Sequence, residues 1–482
     1  MPVNWSSYPH RRHLDEMIDP SGQPRPGTEP LVDFLRTLGK HQLRFHKESA
    51  RHLSPGVSTL SPPPSGESDT GNPFDIVPRV IGSDEWQRVE KGLRQRMTAL
   101  NLFLCDLYGP RKIVTDNILP EEILLSSKSY RPACSGARPP FEVWANVCCC
   151  DLLRDRDGTL YVLEDNLRQP SGGALLLENR FRSRQIFRKL FEDGAILPVE
   201  DYPGQLLAQL RSLSREDGKT ANVVILTSGQ NRSESLEYRY LAQAMGIDAV
   251  DGSELVVSDA GVFRRKQRTL QKVDVIYRSI GDDLLDPEHC FPDSSVGVNG
   301  LLQAWHAGNV VLCNAPGAGI ADDKAVYAFV PKMIAYYLGE EAILPNVQTF
   351  HCRDPREQSH VLAHLRDMVV KSRQGSGPRN MLNGPTSTRE QREAFAARIK
   401  QHPHHYVAQP ALVPSTQPTV VGGRLEPRPV ELRTFIVQGK SLEVAPGGVT
   451  RVGLVKPAPI INFSPGNGIK DTWVVDIPCP EP

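Results

Sequence analysis

The stretch CCCDLLRDRDGTLYVLEDNLRQPSG, residues 148–172, predicts the central element of the fold. Asp157-Gly158 stands between two runs of apolar-patterned residues, and this dipeptide is a strong signal for a two-residue hairpin turn. Counting outward from that loop places Asp151 opposite Glu164. We therefore expect two antiparallel strands in this register.

The predicted hairpin gathers oxygen-bearing side chains on one face. Directly opposed residues share a face, with Cβ atoms roughly 4.5 to 5.5 Å apart. Asn166, two residues beyond Glu164, points to the same face as Glu164 and Asp151. Opposed carboxylates repel unless a cation lies between them, and carboxylate and amide oxygens suit Mg²⁺ carrying nucleotide phosphates. These residues predict a magnesium site, although an exposed hairpin whose acids face water stays open as an alternative.

The overall composition favours a cytoplasmic protein. The 482 residues suffice for two to four domains, and the 56 basic and 56 acidic side chains cancel, so no charge excess points to nucleic acid or to membranes. We find no apolar run long enough to span a bilayer, and the first residues lack the apolar core of a signal peptide. The oligomeric state is not indicated.

The nine cysteines predict neither disulfides nor a metal centre. Cys148, Cys149 and Cys150 are consecutive, and neighbouring residues on a strand point to opposite faces. They therefore cannot share one tetrahedral ion. We expect ordinary buried cysteines.

Other parts of the chain show regular patterns. Apolar residues recur every three or four positions from Glu85 to Leu107, which predicts a long amphipathic helix. Residues 221–320 alternate short apolar runs with helical patterns, which predicts a small parallel sheet of Rossmann-like kind. Further helix and strand signals follow from Lys324 to residue 475, and residues 54–74 read as a Ser- and Pro-rich loop.

The acidic hairpin resembles a known family. ATP-grasp ligases such as the alanine–alanine dipeptide ligases bind magnesium through an Asp and a Glu-x-Asn on adjacent antiparallel strands, and Asp151, Glu164 and Asn166 are similar to that set. In most such chains the acidic pair closes the domain, whereas here Asp323-Lys324 and Lys371 follow it, which is the order that a circular permutation produces.

Several stretches resemble the circularly permuted ATP-grasp proteins, a type sometimes labelled glutathionylspermidine synthase-like or carboxylate-amine ligase-like. The stretches are LEDNLRQPSGG, VDVIYRSIGDDLLDP, GIADDKAVYAFVPKMI, PGGVTRVGL and KDTWVV, and the similarity runs from about residue 14 to residue 477. The resemblance implies an α/β fold of ATP-grasp lobes with a Rossmann-like domain. The expected parts are an N-terminal helical region with a loop (1–84), a permuted ATP-grasp segment with the hairpin (85–215), the Rossmann-like domain (216–320) and the nucleotide-binding lobes (321–482).

The resemblance also implies ATP and Mg²⁺ as cofactors and assigns further site residues. Lys324 and Lys371 would neutralise phosphate charge, and the loop of Gly375, Ser376 and Gly377 would approach phosphate oxygens. The strand 407–410, with Gln409, would form the hinge against adenine. Arg433 and Arg451 would steady the transferred phosphate.

The chain departs from the family pattern in three places. Many relatives carry an arginine two residues before the metal aspartate, where this chain has Cys149, so another arginine must serve. The glycine loop reads GSGPRN, in which Pro378 removes one amide donor, and the end of the chain reads NFSPGNG in place of a Ser-Gln-Gly-Gly type loop.

The family resemblance implies an ATP-dependent ligase that joins a carboxylate to an amine, of a small molecule or peptide, through an acyl phosphate. Such chemistry needs positioning and charge neutralisation and no nucleophilic side chain. Three alternatives stay open: an ATP-binding scaffold without turnover, a kinase, and a dinucleotide oxidoreductase built on residues 221–320. The last is disfavoured because no GxGxxG fingerprint follows the first strand of that region.

Overall fold

The structure, a computed structural model, describes residues 5, 8–9, 14–53, 73–214, 220–229, 234–288, 296–373, 381–454 and 467–476. The helices are α1 Glu29–Thr37, α2 Lys40–His52, α3 Ser83–Leu107, α4 Lys112–Thr115, α5 Glu121–Leu125, α6 Gly173–Ile186, α7 Arg188–Glu192, α8 Tyr202–Ser212, α9 Glu234–Met245, α10 Asp282–Leu285, α11 Leu301–His306, α12 Lys324–Tyr327, α13 Val330–Leu338, α14 Pro355–Ala363 and α15 Arg389–Gln401.

The strands alternate with these helices, so the fold is mixed α/β. They are β1 Arg79–Gly82, β2 Val147–Arg154, β3 Leu160–Asn166, β4 Val223–Thr227, β5 Asp248–Asp251, β6 Leu255–Ser258, β7 Gly261–Lys266, β8 Thr269–Val273, β9 Val275–Arg278, β10 Val311–Cys313, β11 Phe350–His351, β12 Met368–Ser372, β13 Met381–Asn383, β14 Tyr406–Pro410, β15 Thr416–Val421, β16 Arg424–Gln438, β17 Leu442–Val444, β18 Val449–Gly453 and β19 Asn467–Val475.

The largest sheet runs in the order β1-β19-β18-β16-β2-β3, with β15 and β17 also paired to β16. Its strands are antiparallel except for the parallel pair β1 and β19. The three consecutive cysteines lie on β2, where Cys149 packs into the core that contains α6 and α8, while Cys148 and Cys150 pack into the core that contains α3. The prediction of buried cysteines facing alternate sides is confirmed, and no described cysteine forms a disulfide.

The β2–β3 hairpin confirms the predicted pairing of Asp151 with Glu164, but the predicted two-residue loop is wrong. The amide of Asp155 donates to the carbonyl of Thr159 at 2.9 Å, so three residues form the loop, and Gly158 takes the left-handed conformation at φ 88°. A register shift beyond Asp151 leaves one extra residue in β3 and restores the predicted pairing. The two deviations cancel.

The predicted Rossmann-like unit is a four-stranded parallel sheet in the order β10-β9-β4-β5. The connection from β5 to β9 was not predicted. Across its residues 252–274, all of them described, it contains an antiparallel meander of β6, β7 and β8 and no α-helix. The long helix α3 matches its predicted span closely.

The lysine-bearing strand β12 belongs to a second antiparallel sheet in the order β11-β14-β12-β13, which packs with α14 and α15. The predicted hinge strand, residues 407–410, is β14, next to β12. Three stretches lie outside the described parts of the chain: the Ser- and Pro-rich residues 54–72, the predicted glycine-loop residues Gly375, Ser376 and Gly377, and residues 455–466. The predicted domain boundaries stay predictions.

Candidate active site

The site is built around a buried carboxylate held by two arginines. Arg433 lies opposite Asp151 in the β2–β16 ladder, and its Nε and Nη2 donate to the two Asp151 oxygens at 2.8 and 2.7 Å. Arg451 Nη2 lies 2.7 Å from Asp151 Oδ2. Burial alone would raise the pKa of Asp151, but the two guanidinium groups outweigh it and hold that pKa well below its usual range. Asp151 is therefore ionised and fully paired.

Glu164 and Asn166 lie beside this cluster, as the sequence predicts. Glu164 is directly opposite Asp151, and its Oε2 lies 3.7 Å from the Lys324 ammonium. Asn166 Nδ2 makes a long hydrogen bond of 3.5 Å to Asp151 Oδ2. The amide oxygen of Asn166 is the atom that could serve as a ligand, because the amide nitrogen is directed to Asp151.

Glu431 is a buried acid of the site that the sequence analysis missed. It lies opposite Arg451 in the β16–β18 ladder and pairs with that arginine. Burial raises the pKa of Glu431 to about 8, with the neighbouring charges of Asp151 and Glu164 adding to the rise against the opposing effect of Arg451. A signal was present, because Glu431 precedes Arg433 by two residues and therefore shares its face of the strand.

Both predicted phosphate lysines face this acidic group. Lys371, on β12, is partly buried, and burial and the nearby Lys324 ammonium lower its pKa, while Glu164 and Glu431 oppose that change. Lys324 is the first residue of α12 and approaches Glu164. The structure thus brings together the two lysines and the acids of the hairpin, which are more than 150 residues apart in sequence.

A cavity of about 430 Å³ opens next to these groups, between the large sheet and the second sheet. Lys371, Glu431 and Gln409 line it together with mostly apolar side chains. Those apolar residues include Leu153, Leu163, Val347, Val369 and Leu412. Gln409 Nε2 also donates to Thr349 Oγ1 at 3.0 Å, which fixes the amide at the wall. The volume and the apolar walls with a few polar groups are typical of small-ligand sites.

The donor set fits a hard divalent cation that also carries phosphate. Among the described residues no group of three or more His, Cys, Asp or Glu side chains is placed to hold a metal alone. Mg²⁺ commonly takes one or two carboxylates and completes its shell with phosphate oxygens and water, and Glu164, Glu431 and the Asn166 amide oxygen are the groups that could serve as its protein ligands. Asp151 is less suited, because both of its oxygens already accept from arginines.

Comparisons with known proteins agree with this geometry. Residues 78–453 match the family described as circularly permuted ATP-grasp type 2. A protein of Synechocystis named only as uncharacterized is 44% identical over 472 residues, covering 97% of this chain and 98% of its own length. The chain belongs to the circularly permuted ATP-grasp type 2 family.

Two further similarities add detail. A Frankia alni protein named "Putative glutamate--cysteine ligase 2-3" is 36% identical over 467 residues, which cover 95% of this chain and 53% of that protein. A solved glutathione synthetase-like effector of Globodera pallida in its apo form superposes with a TM-score of 0.55 at 12% identity, over 95% of this chain and all of that one. The latter likeness concerns the fold alone. No helix in the described parts of the chain could cross a membrane.

Proposed function

We propose that this protein is an ATP- and magnesium-dependent ligase that joins a carboxylate to an amine through an acyl phosphate. The observation that carries the proposal is the meeting of Lys324, Lys371, Glu164 and Glu431 beside a cavity of about 430 Å³, which Lys371 and Glu431 line. Family membership and the ligase name borne by the Frankia relative support the same class of reaction.

Each group has a role in this proposal. The apolar walls and Gln409 hold the adenine, and Lys371 and Lys324 neutralise the phosphates. Glu164, Asn166 and Glu431 would hold the magnesium ion, which would neutralise phosphate charge. We place Asp151 behind this set rather than within it, which revises the hypothesis drawn from the sequence.

Arg433 and Arg451 supply positive charge where the phosphate leaves ATP. A substrate carboxylate oxygen attacks the terminal phosphorus, the bond from phosphorus to the ADP oxygen breaks, and an acyl phosphate forms. The amine nitrogen then attacks the acyl carbon, the bond from that carbon to the phosphate oxygen breaks, and the nitrogen gives up one proton to water, which leaves an amide and inorganic phosphate. Asp151 fixes both guanidinium groups before substrate binds, so the charge is already in place for the transfer.

Cys149 stands where many ATP-grasp ligases have an arginine, and two arginines from other strands lie near that position. The arginine that many ATP-grasp ligases carry two residues before the metal aspartate is absent from β2, and Arg433 and Arg451 approach Asp151 from β16 and β18. We assign to them the part that the missing arginine would play.

The test is ATP turnover with paired substrates. ADP release should be measured with Mg²⁺ and a panel of amino acids and peptides, with glutamate and cysteine first because of the Frankia relative's name. We expect ADP release only when an acid and an amine are both present, and a product with the mass of their condensed form. Tight ATP binding without ADP release under any mixture would instead support a scaffold, and a stable phosphorylated acid without amine would support a kinase.

A further inference from the structure

A second buried ion pair lies close to Lys324 and Lys371 in the chain, and neither of its residues has a role in the proposed ATP and magnesium site. Arg373 Nε and Nη2 donate to the two carboxylate oxygens of Asp323, at 3.1 and 2.9 Å. The two side chains are 4% and 0% exposed. Such a planar, two-bonded pair defines both the distance and the orientation of the elements that carry it.

The guanidinium of Arg373 also donates to two other segments, α5 with the residue that follows it and the loop before β14. Its Nη1 donates to Ser126 Oγ at 2.8 Å and to the His404 carbonyl at 3.3 Å, and its Nη2 donates to the Ile123 carbonyl at 2.8 Å. With the two bonds to Asp323, these contacts match the five N–H donors that an arginine has. The side chain is therefore locked in one position.

The pair connects the two elements that present the phosphate lysines. Arg373 is two residues beyond Lys371, immediately after the end of β12. Asp323 caps α12, because its Oδ1 accepts from the Ala325 amide at 2.9 Å, and Lys324 is the first residue of that helix. The Arg373–Asp323 contact thus spans from one lysine-bearing element to the other.

The preceding residue, Asp322, extends this connection to the metal hairpin. Its carboxylate accepts from the backbone amides of Leu167 and Arg168, which directly follow Asn166 at the end of β3. Consecutive acids therefore contact the hairpin on one side and β12 on the other. Lys324 follows these two acids in the chain, and its ammonium lies 3.7 Å from Glu164 Oε2 on the hairpin.

We propose that Arg373 is a positioning residue that sets the spacing between the Lys371 and Lys324 ammonium groups, and so determines how tightly the nucleotide phosphates are bound. This inference rests on the proposed function, because it assumes that both lysines bind ATP phosphates. Lysine cannot replace arginine here, since a single ammonium group has no planar fork to bind both Asp323 oxygens and the two carbonyls at once.

The expected signature is a selective loss of affinity for phosphates. In Arg373→Lys the dissociation constant for ATP with Mg²⁺ should rise roughly tenfold or more, because small displacements of charged groups cost large factors in binding. The dissociation constant for adenosine should stay unchanged, since the cavity walls do not contain Arg373. A residue with only a structural role would not change the ratio of the two constants.

The experiment is calorimetric titration of ATP with Mg²⁺ and of adenosine into the wild type, Arg373→Lys, Asp323→Asn and a matched control. The control is Arg180→Lys, which weakens another buried arginine–aspartate pair, at Asp471. We expect the ratio of the dissociation constant for ATP to that for adenosine to rise in Arg373→Lys and Asp323→Asn and to stay unchanged in Arg180→Lys.

The results separate this inference from the proposed function. An unchanged ratio in Arg373→Lys and Asp323→Asn, beside a wild type that prefers ATP, would overturn the positioning role alone. An equal loss of both ligands in those variants would also overturn it. A wild type that binds ATP no better than adenosine would overturn the proposed function and this inference with it.

Discussion

Arg433 lies directly opposite Asp151 in the central sheet, and its guanidinium donates to both oxygens of that carboxylate. The two residues are separated by 282 positions in the chain. This pairing separates the acids of the site into two groups, because Asp151 holds two arginines while Glu164 and Glu431 face the lysines.

Asp151→Asn should destabilise the fold strongly. Breaking a buried ion pair leaves an uncompensated charge, which costs about 3–5 kcal/mol in the free energy of unfolding. Chemical denaturation of the variant and of Asp157→Asn, at the exposed tip of the same hairpin, measures the effect. We expect a change within about 0.5 kcal/mol for the control. Equal stability of both variants would show that the arginine cluster does not stabilise the sheet.

Glu431→Gln should weaken the dependence of ATP binding on magnesium. The amide keeps the shape of the side chain but removes the carboxylate that we assign as a magnesium ligand. Titration of ATP at several Mg²⁺ concentrations should show a weaker metal requirement than in the wild type. If the magnesium dependence is unchanged, Glu431 is not a ligand and the original assignment of Asp151 regains support.

Val369→Trp should prevent nucleotide binding by filling the cavity. Val369 lines the cavity on β12, and the larger ring would occupy space that we assign to adenine. Val369→Ile is the control, since one added methylene leaves most of the volume open. We expect ATP to raise the melting temperature of the control and not of Val369→Trp. A normal ATP response in the tryptophan variant would place the adenine elsewhere.

Stability should fall in acid partly because of His351. Burial lowers the pKa of His351 to about 4, and the neighbouring Arg373 contributes. Since the unfolded chain binds the proton with a pKa near 6.5, the unfolded state binds more protons between pH 6.5 and pH 4, and stability is lost as the pH falls through that window.

The comparison of wild type with His351→Gln isolates this effect from other titrating groups. The free energy of unfolding of the variant should depend less steeply on pH between 4 and 6.5. Identical slopes in the two proteins would contradict a lowered pKa at His351.

The sequence predicted local pairing well where chain neighbours determine it. Asp157 and Gly158 located the hairpin, yet its loop has three residues, and the register survived only because an extra residue in β3 compensates. Bulges depend on packing against other elements and leave little trace in a short sequence window. The correct pairing of Asp151 with Glu164 was thus partly fortuitous.

Long-range pairing was beyond reach from one sequence. Arg433 and Asp151 are 282 positions apart in the chain, and Arg373 and Asp323 are 50 positions apart. Arginines and acids are frequent in this chain, so composition cannot select which ones meet. Glu431 was the exception, because its period-of-two spacing from Arg433 could have placed it on the site face.

The proposed magnesium and nucleotide site is tested most directly by measuring apparent stability in four samples: wild type and Glu164→Ala, each with ATP plus Mg²⁺ or with ATP plus a chelator. At a hundredfold the dissociation constant, a bound ligand adds roughly 2.7 kcal/mol. We expect that gain in the wild type with Mg²⁺, and a clearly smaller gain in the other three samples. An equal gain in all four would contradict the proposed magnesium and nucleotide site.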